Sequence, residues 1–230
     1  MHQETAMTTP RQTRSYRSPL RAEKAAETRR SIITAAAEVF SQRGYVGTTM
    51  QQVADHAGVS VESVNKIGTK PDLLIKAFQQ TYSGEGGWKS IIDQPQLMEI
   101  MSNEDTEQAI ADYAAFIAAA NARSGGIWAA VRAAAASEDR ISKAVTELIA
   151  RKREDFMIGH DWYASRGMVD EKTSPEAFAA HLYVLTSQET YDQLTRDWGY
   201  SLEAYTAWLR TSILRIGPAT QHLPPPLSNT

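Results

Sequence analysis

The chain has 230 residues, 42% of them apolar, a formal net charge of −3 and no cysteine. That length supports one large domain or two small ones with a real core. The missing thiols exclude disulfides, thiolate metal sites and cysteine nucleophiles. No run of eighteen or more uncharged apolar residues is present and the first residues are polar. Neither a membrane span nor a secretory signal is therefore expected, and a cytoplasmic protein is. The charge is unevenly placed: residues 1–80 carry 11 Lys and Arg against 7 Asp and Glu, residues 81–230 carry 13 against 20. A basic front on an acidic body suits a module that faces a polyanion, or it is chance variation plus a basic tail.

Residues 1–21 are rich in Thr, Gln, Arg and Pro without periodicity, and read as a flexible basic arm. Arg11, Arg14, Arg17 and Arg21 surround Tyr16 there. Such an arm lies in a minor groove in some DNA-binding proteins and is a solubilising tail in others. Residues 22–43 read as a first helix on the spacing of Ile32, Ala36, Val39 and Phe40, with Gly44 at its end. A second helix restarts at "TTMQQVADHAG", where Thr49 and Gln52 have capping-box spacing and Val53 and Ala54 point inward. Ser60 caps a short third helix that Gly68 closes, and Thr69, Pro71 and Asp72 suit the first turn of a fourth.

Two short helices joined through "AGVS" (57–60) have the form of a helix-turn-helix. Ala57 is small where the helices cross, Gly58 turns the backbone and Val59 plugs the space between them. The helix that follows is then held outward, free to enter a major groove. The alternative is an ordinary helical hairpin.

Residues 28–78 resemble the DNA-binding domain of the TetR (tetracycline repressor) family of bacterial transcription regulators, through "IITAAAEVFSQRGYVGTTMQQVADHAGVS" and "TKPDLLIKAF". The pattern departs at "VNKIGTK": Asn65 stands where the family has Tyr, and the segment is one residue shorter before Gly68. The resemblance implies an all-α fold, with an N-terminal three-helix helix-turn-helix domain (22–68), a C-terminal helical bundle for ligand binding and dimerisation (69–217) and a Pro-rich tail (218–230). DNA-contacting positions are expected at Thr49, Ser60, Val61, Glu62, Ser63, Asn65, Lys66 and Lys70. Of these, Thr49, Lys66 and Lys70 would position phosphates; Ser63 and Asn65 would face base edges. The resemblance also implies a homodimer, and with it a near-palindromic operator.

Beyond residue 82, "SGEGG" reads as a break. "TEQAIADYAAFIAAANAR" and "GIWAAVRAAAA" are Ala-rich helical pieces on either side of a "SGG" interruption. Ser137 is expected to cap a long helix carrying Ile141, Val145, Leu148, Phe156 and Tyr163. Ser174-Pro175-Glu176 starts another, and Ser201 a last one whose stripe is Leu202, Tyr205, Trp208, Leu209, Ile213 and Ile216. "RDWGYSLEAYTAWL" resembles the family's closing element with Trp and Gly exchanged. The helices over 138–166, 174–195 and 201–216 are expected to carry the dimer interface.

No Gly-rich phosphate loop is present, and the five histidines share no ligand spacing. No enzyme, cofactor or metal is expected. Met98, Met101, Tyr113, Phe116, Trp128, Phe156, His160, Trp162, Tyr163 and Tyr183 are either core or the lining of a cavity for a mostly apolar effector. The leading expectation is a ligand-responsive repressor. The alternatives are a helical interaction protein that has lost specific DNA binding, motivated by the shortened "VNKIGTK" and Glu62, and an all-helical enzyme, motivated by the aromatic-rich bundle alone.

Overall fold

The computed structural model describes residues 19–83, 92, 94–169 and 173–216, and among these every regular element is helical. Most of the basic arm, the "GEGG" break and the Pro-rich tail lie outside the described residues.

Helix α1 (Pro19–Gly47) begins ahead of the expected residue 22 and kinks at Gly44. Its buried face is the one the spacing predicted, with Ile32, Ala36, Val39 and Phe40 all at 5% exposure or less. Helix α2 (Met50–Ala57) has the expected capping box: Gln52 N donates to Thr49 Oγ1, and Thr49 N donates back to Gln52 Oε1. Gly58 closes α2 in the left-handed region, at φ 66° and ψ 32°, where a side chain would be strained. Ser60 caps α3 (Val61–Asn65), and Thr69 with Asp72 opens α4 (Lys70–Ser83).

The sequence showed no element between the break and residue 106. The structure places α5 there (Pro95–Ser102), with Leu97 and Ile100 buried. Helix α6 (Thr106–Ala135) runs unbroken through Ser124-Gly125-Gly126, where an interruption was expected. The glycines serve close approach rather than a turn. A Cβ on Gly126 would stand 3.0 Å from the Ser41 Cβ of α1, and one on Gly125 would stand 3.3 Å from Asp192 Oδ1. Helix α7 (Asp139–Ser165) takes Glu138, not Ser137, as its N-cap residue, and Glu138 makes no side-chain cap bond.

The expected helix over 174–195 is divided. Ser187 ends α8 (Pro175–Thr186) in an extended conformation and caps α9 (Gln188–Asp192), which continues as a π-helical turn over Gln193–Asp197. Helix α10 (Leu202–Leu214) buries Tyr205, Leu209 and Ile213, whereas Leu202, expected in that stripe, is 47% exposed.

Two cores result. One joins Ile32, Phe40, Val53, Val64, Leu73, Leu74 and Phe78 to Trp128, Val131, Ile141, Val145 and Leu148, so it runs without interruption from the first three helices through α4 into α6 and α7. Within it the Phe78 and Trp128 rings meet at 5.0 Å. The other core gathers Ile110, Ile117, Phe156, Tyr163, Phe178, Leu182, Tyr205 and Leu209 from α6, α7, α8 and α10. A buried amide ties these helices together: Asn121 Nδ2 donates to the Thr186 carbonyl at 3.0 Å and to the Tyr205 hydroxyl at 3.2 Å.

Phe78→Ala removes a side chain from the shared core and should cost about 3–5 kcal/mol in urea unfolding. Gly126→Ala should cost about 1–3 kcal/mol by overpacking against Ser41. Adding Ser41→Gly should recover part of that loss, whereas Ser41→Ala, which keeps the Cβ, should not; equal effects of the two would show that the contact does not limit the helix spacing.

Candidate nucleic-acid interface and ligand cavity

The turn at Gly58 and the caps at Thr49 and Ser60 fix α3 against the first core, where Val64 is its one fully buried residue. Its neighbours Glu62, Asn65 and Lys66 are exposed, as are Thr49 and Ser60. Glu62 and Lys66 pair at 3.0 Å across one turn, with both side chains in water. Val61 is half-buried and packs on the core. Ser63 is half-buried as well: its backbone N–H donates to Ser60 Oγ, and the two hydroxyls lie 3.0 Å apart. The outward face of α3 thus carries a carboxylate, an amide and an ammonium within one turn, a set that can accept from and donate to base edges and phosphates.

Lys70 is placed differently from the other expected contacts. Its Nζ sits 4.3 Å from the centroid of the Tyr45 ring. Burial pulls the ammonium below the usual lysine range, and the charge of Glu138 opposes that. The Tyr45 hydroxyl donates to Glu138 Oε1 at 3.0 Å. Its pKa is pushed up to about 12 by burial first, then by the bond to Glu138 and by that carboxylate's charge.

A cavity of about 50 Å³ lies in the second half of the chain, between α5, α6, α7 and α8. Its walls are Ile92, Leu97, Ile100 and Met101; Ala109, Ile110 and Tyr113; Asp155, Phe156, Gly159, Trp162 and Tyr163; and Leu182. Burial raises the pKa of the Tyr113 phenol strongly, with smaller contributions from Tyr163, Tyr82, Asp155 and Tyr205, and burial alone raises that of Tyr163. Both tyrosines therefore stay protonated, as hydrogen-bond donors at the wall of an otherwise apolar space. Helix α5 is held over the cavity by α7: Trp162 Nε1 donates to the Met101 carbonyl at 2.7 Å, and Arg166 donates to the carbonyls of Met101 and Asn103.

Of the cavity residues expected from sequence, Met101, Tyr113, Phe156, Trp162 and Tyr163 line this space. Others lie elsewhere. Met98 is 60% exposed on the outer face of α5. Phe116 borders an open groove between α5 and α6. Trp128 belongs to the core around α4, and its Nε1 donates to Glu189. Tyr183 packs edge-on against Phe156, outside the wall. His160 packs edge-on against Phe178 with Nδ1 beside Asp161, and its Nε2 is buried without a hydrogen-bond partner among the described residues. Aromatic and Met enrichment found five of the thirteen wall residues. The six aliphatic ones, with Gly159 and Asp155, leave no compositional signal.

Among the described residues no group of three or more His, Cys, Asp or Glu could hold a metal ion, and no helix is long and apolar enough to cross a membrane.

Residues 32–66 match the family model for bacterial regulatory proteins of the tetR family. No curated protein matches the chain. Among solved structures, the chain is similar to a protein from Mesorhizobium loti described as a TetR-family transcriptional regulator: TM-score 0.67, 19% identity, 85% of this chain and 98% of that one. It is similar to a transcriptional regulator from Rhodococcus sp. Rha1 at TM-score 0.62 and 19% identity, over 85% of this chain and 99% of that one. It is also similar to NalD, the secondary repressor of the MexAB-OprM multidrug efflux pump in Pseudomonas aeruginosa, at TM-score 0.60 and 18% identity, over 84% and 96%. At these identities the structural likeness speaks for the fold, and the sequence match speaks for the helix-turn-helix. The match over residues 32–66 marks that segment as the helix-turn-helix of bacterial regulatory proteins of the tetR family, and the chain around it has the fold of such regulators.

Proposed function

We propose that this DNA-binding transcription regulator is a repressor that lets go of its operator when a small, mostly apolar molecule occupies the cavity behind α5. The observation that carries the DNA-binding half is α3 itself: one buried anchor, Val64, with Glu62, Asn65 and Lys66 presented to solvent on the other side. A helix so held can enter a major groove without disturbing the core. The effector half rests on the mostly apolar cavity between α5, α6, α7 and α8, with two phenols and Asp155 at its wall. The repressor role follows the printed function of NalD and is carried to this chain as part of the proposal.

The chain is proposed to act as a homodimer, with α8 and α10 at the twofold. Val184 on α8 is 58% exposed, and Trp198 and Leu202, just before and at the start of α10, are 77% and 47% exposed. Apolar side chains exposed together on neighbouring elements are what an interface leaves when its partner is absent. A twofold pairing of heads requires a near-palindromic operator.

A second reading is favoured by one feature, the carboxylate of Glu62 on the exposed face of α3, paired with the cation beside it. A helix whose lysine is already neutralised, and which carries a repelling charge toward phosphate, fits a protein that has lost specific DNA binding. Selection of genomic fragments by the intact chain separates the two: a recurrent near-palindrome supports the regulator, and recovery without sequence preference supports the alternative.

On a selected operator, Asn65→Ala should weaken specific binding by about 1–3 kcal/mol while leaving binding to unrelated DNA nearly unchanged. Equal losses on both would count against base recognition by α3. Indole, used as an apolar single-ring probe, should raise the melting temperature of the chain, and Gly159→Leu, which fills the cavity, should abolish that rise. A rise that survives Gly159→Leu would place the binding site elsewhere.

A further inference from the structure

The first core makes head and body continuous by packing, and polar contacts can add a direction to that packing. A small group of polar contacts sits at the one place where α1, α4 and α7 meet, immediately after α3. We propose that Tyr45, Lys70, Asp72, Glu138 and Arg140 form a clasp that sets the angle of the helix-turn-helix head on the body. The proposal rests on the regulator reading only for its consequence, which is the placement of α3 on DNA.

Asp72 is the centre of the clasp. Its Oδ2 accepts from the Thr69 backbone N–H at 3.0 Å and from the Thr69 hydroxyl at 2.8 Å, which opens α4. Its Oδ1 takes Arg140 Nε of α7 at 2.6 Å. Burial alone would raise its pKa, yet the carboxyl is held below the usual range, because the two Thr69 bonds and the charges of Arg140 and Lys76 together outweigh the burial. The exit of α3 is pressed against the same residue. Gly68 has φ 144°, and a Cβ there would lie 2.7 Å from the Asp72 Cβ. Lys76, one turn further along α4, donates to the Ile67 carbonyl. A shift of Arg140 is therefore passed through Asp72 to the residues that follow the reading helix.

The second half of the clasp is at Glu138. It stands at the N-cap position of α7 but forms no cap bond there. Its carboxylate accepts instead from Tyr45, the residue after the kink in α1, and Lys70 of α4 covers the face of the same tyrosine. Glu138 and Arg140 are thus both committed to the head, from the first turn of a helix that continues to Asp155, Phe156 and Gly159 at the cavity wall. The fifteen residues from Arg140 to Asp155 span about 23 Å of continuous helix. Lys152, close to the cavity end, lies over the ring of Tyr82 at the far end of α4. Helix α7 therefore grips α4 at both ends.

Arg140 is 67% exposed, and ion pairs with one partner in water add little to stability, so clasp variants should remain folded. The chain contains no cysteine, so two introduced ones are unique attachment points for nitroxide labels. With labels at Gln51 on α2 and Ala122 on α6, both exposed, and excess unlabelled chain to suppress distances between subunits, the intact protein should give one narrow distance distribution. Tyr45→Phe with Arg140→Gln should broaden it or shift its maximum, and Arg140→Lys alone, which keeps the charge, should leave it narrow. Tyr45→Phe alone should give an intermediate width, and serves if the double variant does not fold. An unchanged distribution in a double variant of native helicity would overturn the clasp, as would broadening by Arg140→Lys equal to that of the double variant. No DNA enters this experiment, so its outcome is independent of whether α3 reads bases.

Discussion

Everything in this fold depends on α4 being buried on two sides at once. Leu73, Leu74 and Ala77 are at 0% exposure and Phe78 at 1%. These positions cover more than one face of a helix turn, which is the pattern of an internal helix rather than a surface one. On one side they close the core around Phe40, Val53 and Val64; on the other they meet Trp128, Val131, Ile141 and Val145. The three helices before α4, two of them short, have too little apolar surface of their own to make a stable unit without that floor. The helix-turn-helix helices share this core with α6 and α7, so they cannot swing as a free domain. Any change in their position has to be a tilt or slide of α4 against α6 and α7.

That restriction gives meaning to the close contacts around it. Gly126 brings α6 to within a Cβ contact of Ser41 on α1, and Gly125 does the same for the side chain of Asp192. Small residues at these crossings lower the spacing between helix axes and leave no slack for independent motion. One turn before Gly125 on α6, Asn121 is buried and bonded to the Thr186 carbonyl at the end of α8 and to Tyr205 of α10. Helix α6 thus makes close contacts with α1, α8, α9 and α10, and α7 has polar contacts at one end and the cavity wall at the other. Two discrete arrangements of such an element are what coupling between distant sites requires, and an effector shifts their balance only by as much as it prefers one of them.

What the sequence made legible was local. Capping boxes and a left-handed glycine are written in three or four adjacent residues, so Thr49, Gln52, Gly58, Ser60, Thr69 and Asp72 could be read without knowing what packs on them. The buried stripes of α1 and α10 followed from helical spacing, apart from Leu202, which lies before the first contact of its helix with the core. The misreadings were of residues whose role is set by a distant partner. Gly125 and Gly126 looked like a break because glycine punctuates chains, yet here it permits approach by α1 and by Asp192. Trp128 looked like a cavity residue and is a core residue, because nothing in its surroundings in the chain announces Phe78. Helix α5 was missed altogether, being two turns long with only Leu97 and Ile100 buried.

Lys70 brings these strands together. By spacing it stands at the start of α4, where an ammonium would be expected to reach toward a phosphate. In the structure it covers the ring of Tyr45, and burial lowers its proton affinity by more than the charge of Glu138 raises it. A cation in that position still contributes positive potential near α3, but with a fixed location, and it contributes equally to holding Tyr45 over Glu138. If the clasp holds, the exposed run of Glu62, Asn65 and Lys66 on α3 is offered at an angle set from behind, by α4 and α7.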